Sequence, residues 1–248
     1  YSRKKEFYIW IGLTVLLFAS FYANSLHEEF TDEFDNILGG TYILQGKLPY
    51  TGFFSHHGPV PYFLASIIAI FSGKSFVMFR LFYGGFLGIF TLTGYYMVRK
   101  SVGDLSSRFY IGFIAVTTIA ATYFWGHMLV ADSLAAVFLG PALAIVFLKS
   151  LYSVPYRIRD IAIVSVLLVL TILTSLTYIY LIAGIYAFVL IHYFHFLRKR
   201  TVQNILMPFV ILGIPYALFL MYLILTGSMS SYIQQSIIFN QKYYIYNY

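Results

Sequence analysis

Residues 58–71 read GPVPYFLASIIAIF, and whether these 14 residues cross a bilayer decides the architecture of the whole chain. At 1.5 Å per helical residue they extend only about 21 Å, against a hydrocarbon core of roughly 30 Å. Length therefore predicts an interfacial or re-entrant helix. The flanking charges decide more firmly. If the segment does not span, Arg3/Lys4/Lys5, Arg99/Lys100/Arg108, Lys149/Arg157/Arg159 and Arg198/Lys199/Arg200 share one side, which is 12 of the 16 lysines and arginines. If it does span, only 6 remain on the N-terminal side and 10 lie opposite. The positive-inside rule selects the first arrangement.

Working outward, the 248 residues are 60% hydrophobic, 21% aromatic and only 10% charged. Soluble domains carry about 25% charged residues, so this composition leaves too little polar surface for water. The expected fold is an all-α integral membrane protein of about seven transmembrane helices, near 7–25, 77–98, 109–126, 128–149, 160–177, 179–197 and 205–226. Residues 1–226 form the membrane module. Its long first outer loop, 26–75, is expected to hold juxtamembrane helices. Residues 227–248 read as an extracytoplasmic interfacial segment that leads into a larger native protein, since the chain opens on Tyr1 and stops within polar aromatic sequence.

The net charge of +7 lies in short clusters between apolar runs, which argues for membrane lipid and against nucleic acid as a partner. There is no cysteine, hence no disulfide framework or cysteine metal site. Arg3, Lys4 and Lys5 precede an apolar run over 7–23 that exceeds a signal peptide's h-region, so the first helix is expected to be retained. The resulting topology puts the N-terminus in the cytoplasm. Glu28, Glu29, Asp32, Glu33, Asp35 and Asp132 then face outside, and only Glu6, Asp104 and Asp160 lie inside. Any chemistry is expected on the extracytoplasmic face of a multi-pass cell-membrane protein.

The outer loop begins TDEFDNILGG at Thr31. In a helix Asp32 and Asp35, three apart, share a face, and a carboxylate there suits acceptance of a proton from a hydroxyl. A solvated acidic helix start explains the same residues. Next comes GKLPYTGFFSHHGPVPYF over 46–63, with Lys47, Tyr50 and the paired His56 and His57. The histidines fit interfacial anchors as well as phosphate contacts, and two neighbours are a weak metal signal. Arg80 stands at the N-terminal, positive end of its helix and so requires an anion. That anion is a ligand phosphate, with Lys74 and Lys47 nearby, or a loop acid; snorkelling to headgroups is the remaining choice. Asp132, just inside its span, is expected to face the same cleft or to pair with Arg80. Gly84, Gly85 and Gly88 suit close helix packing, Pro141, Pro208 and Pro215 suit kinks, and His192 and His195 read as structural. The final stretch SSYIQQSIIFNQKYYIYNY, from Ser230, flanks a lipid headgroup or forms an ordinary aromatic belt.

Taken together, DEFD after the first helix, GKLPY fourteen residues beyond Asp32, HHGPVPYF entering a short helix, and FRLF around Arg80 resemble the GT-C class of polyprenyl-phosphate-sugar glycosyltransferases. That class includes protein O-mannosyltransferases and aminoarabinose transferases, and FNQKYY at 239–244 is similar to segments after the seventh span of bacterial members. The resemblance implies a GT-C-like module with a catalytic aspartate in the first outer loop, here Asp32 with Glu33 and Asp35 as alternatives. It also implies a donor phosphate supported by Arg80; from the residues themselves, Lys74, Lys47, His56 and His57 are the further expected donor contacts, and Asp132 and Tyr50 are expected at the substrate cleft. The donor is then a polyprenyl-phosphate-linked sugar and the acceptor a glycan, lipid or protein hydroxyl. No cofactor is certain, a divalent metal being optional in the class, and no ligand set is visible. The competing expectations are a polytopic transporter or lipid flippase, and a non-catalytic membrane subunit. Ionisable groups at mid-membrane and repeated halves, which a transporter predicts, are not seen in the sequence.

Overall fold

The computed structural model describes residues 3–24, 31–103, 112, 128–197 and 201–243. Among them the regular elements are helical, and a single isolated bridge joins Pro49 to Phe53. In order these are α1 (Arg3–Asn24), α2 (Thr31–Leu44), α3 (Val60–Ser72), α4 (Phe76–Val102), α5 (Ala131–Leu151) and α6 (Ile158–Ile172). A 3-10 turn, Leu176–Tyr178, runs into α7 (Ile179–His195), followed by α8 (Val202–Leu225). The last segment is α9 (Met229–Tyr232), a π-helical turn (Ile233–Ile238) and α10 (Phe239–Tyr243).

Four helical stretches among the described residues are long and apolar enough to cross a bilayer: α4, α5, Leu176–His195 and α8. The architecture is that of an all-α membrane protein. The span expected over 109–126 lies outside the described residues except for residue 112, as do Glu28, Glu29 and Asp104.

The stretch expected as a span over 160–177 is divided differently. Helix α6 has 15 residues and ends at Ile172, a length of about 22 Å. Hydroxyl side chains end it: Thr174 donates to the carbonyl of Leu170 at 2.7 Å, and the hydroxyls of Ser175 and Thr177 pair at 2.8 Å. Such local bonds compete with continued helix. Helix α3 has 13 residues against the 14 of the segment 58–71, beginning among the prolines Pro59 and Pro61 and ending before Gly73, where φ is +59°.

Two apolar clusters form the interior. One joins α3, the first half of α4 and the start of α5 through Ala65, Tyr83, Leu87, Leu134 and Phe138. The other joins the second half of α4 to α5, α6 and α7 through Val98, Ile145, Leu168 and Ile182. Helix α4 also approaches α1 closely, since a Cβ at Gly88 would stand 2.9 Å from the ring of Phe18; at Gly85 it would meet open space.

Candidate functional site

The acidic helix α2 takes its position from two glycines. A Cβ on Gly39 would overlap the ring of Tyr62, and one on Gly40 would come 2.6 Å from the Cβ of Ala65 and 2.7 Å from the backbone nitrogen of Ser66. Without side chains at these positions α2 lies directly on α3. The Tyr62 hydroxyl then reaches Asp35, donating to Oδ2 at 3.3 Å.

One face of α2 is committed to the bundle. Glu33 is fully buried and accepts from Arg80, with Nη2 at 2.6 Å and Nε at 3.2 and 3.1 Å from its two oxygens. The guanidinium lies over the Phe76 ring at 4.4 Å, and Phe76 stacks on Phe34 at 5.1 Å. Asn36, also fully buried, donates to the carbonyls of Leu129 at 2.8 Å and Asp32 at 3.0 Å, tying α2 to the residues that open α5. Positions 33, 36, 39 and 40 thus face inward. Asp32 and Asp35 lie at the edge of that face and are exposed.

Three of the expected site residues are buried. Arg80 is 2% exposed and its guanidinium faces Glu33, a loop acid of the kind expected as one of its anions. Glu33, an alternative for the base, has both oxygens engaged by Arg80 and no opening to solvent. Tyr50, assigned to the cleft, is 3% exposed and donates its hydroxyl to the carbonyl of His57 at 3.0 Å, so it serves as the internal prop of its own turn. Burial also pushes its hydroxyl pKa up.

That turn, 45–59, carries the paired histidines and is held from two directions. Gly58 and Val60 donate their backbone N–H groups to the carbonyls of Thr174 and Leu173 at 3.2 Å each, satisfying carbonyls left open where α6 ends. A Cβ on Gly58 would run into the Leu173 carbonyl, so only glycine allows this approach. From the other side Gln235, Ser236 and Asn240 bond to the turn's backbone. Phe53 packs edge-on against Tyr62 at 5.4 Å, which places the turn beside the Tyr62–Asp35 contact.

The His56 and His57 rings lie 3.9 Å apart. Burial lowers His56 below the ordinary histidine range, against the pull of the Asp35 and Asp32 charges. His57 is pushed down to about 4 by burial, with His56 acting in the same direction. Both rings are therefore neutral at pH 7, able to accept as well as donate a hydrogen bond. Tyr62 is pushed up by burial and by Asp35, so its hydroxyl stays protonated and donating.

Lys47 is exposed with its ammonium 4.6 Å above the ring of Tyr42, and Lys74 is exposed just before α4. Asp132 is exposed in the first turn of α5, near Tyr178. Asp32, Asp35, His56 and Tyr62 thus come together. Among the described residues no group of three or more His, Asp or Glu side chains is arranged to hold a metal ion. Neither a protein-family model nor a curated protein nor a solved structure matches the chain.

Sequence reasoning passed over Gly39 and Gly40, and Gln235 and Asn240. The glycine pair inside a helix was a usable sign of close approach. The two amides offered none.

Proposed function

We propose that the protein is a GT-C-type membrane glycosyltransferase that moves a sugar from a polyprenyl-phosphate donor to an acceptor hydroxyl on the extracytoplasmic face. In this reading seven helices span the membrane, the N-terminus is cytoplasmic, and α2, α3 and the histidine turn form the outer loop. The observation that carries it is the division of α2: Glu33 is sealed against Arg80, while Asp32 and Asp35 stay exposed on a rigid helix beside His56.

The reaction is a single displacement. Asp32 takes the acceptor's proton as the hydroxyl oxygen bonds to the anomeric carbon, and the bond from that carbon to the phosphate oxygen breaks. The electron pair leaves with the lipid phosphate, and the configuration inverts. Asp35, held by Tyr62, is the alternative base. Donors aimed at the leaving phosphate stabilise its charge, and His56, His57, Lys47 and Lys74 are the groups for that task. Arg80 acts one step removed, by fixing the segment that bears the aspartates.

Transfer from radiolabelled polyprenyl-phosphate sugars by the purified protein tests the reading. Asp32→Asn should lower the rate by about 10²–10⁴-fold, the usual contribution of a general base. Unchanged transfer in that variant, with loss in Asp35→Asn, moves the base to Asp35. No transfer from any donor sinks the proposal and favours lipid movement or a non-catalytic role.

A further inference from the structure

The histidine turn and the C-terminal segment are joined by side chains that all bond to the turn's backbone. Gln235 uses both ends of its amide: Oε1 accepts from the Ser55 N–H at 2.8 Å, and Nε2 donates to the Tyr50 carbonyl at 2.8 Å. Asn240 Nδ2 donates to the His56 carbonyl at 2.9 Å and to the Ser236 carbonyl at 2.8 Å. The Ser236 hydroxyl donates to the Ser55 carbonyl at 3.4 Å. Rings complete the contact, with Phe239 edge-on to Phe54 at 5.1 Å and tilted against His56 at 6.0 Å.

Helical register decides whether one segment can make these contacts. Residues five apart point about 140° away from each other on an α-helix. The turn Ile233–Ile238 is π-helical, and its i→i+5 repeat brings Gln235 and Asn240 towards one face. Such single turns are frequent at functional sites. The segment also buries Tyr50, whose ring meets Tyr232 edge-on at 5.2 Å and whose backbone sits at φ +71°. A non-glycine residue in that region is held there by its surroundings.

We propose that Gln235 and Asn240 are positioning residues for His56: the π turn aims both amides at the histidine turn and so fixes the imidazole beside the Asp32–Asp35 face. They touch no substrate. Their effect on catalysis passes through His56, and for that effect alone the inference rests on the glycosyl-transfer reading.

The experiment is a double-substitution cycle on the full chain in nanodiscs, with sugar transfer and the NMR signals of the histidine rings as separate readouts. Asn240→Leu and Gln235→Leu should each lower kcat about tenfold with KM little changed, a coupling of ordinary size for contacting residues. In a His56→Gln background the same substitutions should cost less than about twofold. Gln235→Glu keeps the acceptor towards Ser55 and loses only the donor towards Tyr50, so it folds under milder disturbance and should fall between wild type and Gln235→Leu. The His56 ring signal and its titration should move in each variant while those of His192 and His195 stay fixed. Losses that multiply independently of His56, or an unchanged His56 signal in folded Gln235→Glu and Asn240→Leu, overturn the inference. If the wild type transfers no sugar, the ring signals alone decide it.

Discussion

The Glu33–Arg80 pair and the Lys149–Asp160 pair stand at opposite ends of α4, and all four side chains are 1% exposed or less. Arg80 and Ser101, which mark the two ends, are separated along α4 by about 32 Å. At the Ser101 end the described acid, Asp160, is consumed by the fold. Asp160 accepts from Lys149 at 2.9 Å, from the Ser101 hydroxyl at 3.0 Å and from the Arg157 N–H at 3.0 Å, with Arg159 at 3.8 Å. Lys149 also donates to the Pro155 carbonyl at 3.1 Å. The ends of α4 and α5 and the start of α6 are pinned together by that one carboxylate. At the Arg80 end Glu33 plays the corresponding part, yet its neighbours Asp32 and Asp35 form no ion pair among the described residues and are exposed. A carboxylate whose lone pairs are filled by its own chain is scaffold. One held exposed on a fixed helix keeps its capacity for a ligand or a proton.

The largest expected effects test whether the two pairs are equivalent as scaffold. Glu33→Ala and Asp160→Ala should each destabilise the protein by about 3–5 kcal/mol, because each removes a buried carboxylate from the buried cation it faces. Unfolding in detergent measures this. A loss at Glu33 far smaller than at Asp160 would remove the equivalence.

Next in size is Gly40→Ala, which forces α2 away from Ala65 and Ser66 and should cost about 1–3 kcal/mol, as overpacking does. On the proposed function it should also weaken sugar transfer by displacing Asp35 from Tyr62. Full activity in the folded variant would show that the seating of α2 on α3 does not matter to the chemistry.

A pH dependence separates the ends further. His57 has its pKa lowered from 6.5 to about 4, so between those values the unfolded chain binds a proton that the folded chain refuses. Its contribution to stability is complete above about pH 6.5 and is lost as the pH falls towards about 4. Melting temperatures across this window should decline more steeply for wild type than for His57→Gln. Parallel curves would refute the burial of this ring.

The smallest expected effect is at Asp32, where Asn should change stability by no more than about 0.5 kcal/mol, as for an exposed residue without buried partners. A loss comparable with that of Glu33→Ala would make Asp32 part of the scaffold.

Much of this was legible in the sequence where the argument is local. The shortness of α3 followed from counting residues against bilayer thickness. The shared face of Asp32 and Asp35 followed from a spacing of three. The early end of α6 was missed because TILTSLT over residues 171–177 looks apolar enough to continue, and hydroxyl back-bonding is decided by geometry. The partner of Arg80 stayed open between a ligand and a loop acid, since Glu33 lies 47 residues away and either anion satisfies a cation at a helix start. Gln235 and Asn240 were invisible for a related reason. Their targets are backbone atoms some 180 residues earlier, and a backbone carbonyl leaves no mark in a sequence.

That long reach has a consequence for biogenesis. Ribosomes deliver the chain from its N-terminus, so the acidic helix and the histidine turn are made long before the residues that grip them. Contacts of such separation close late. The histidine turn therefore stays half-anchored until the residues after Met229 are made: a ribosome stalled before them would leave it tied to Leu173 and Thr174 alone, with its other flank open.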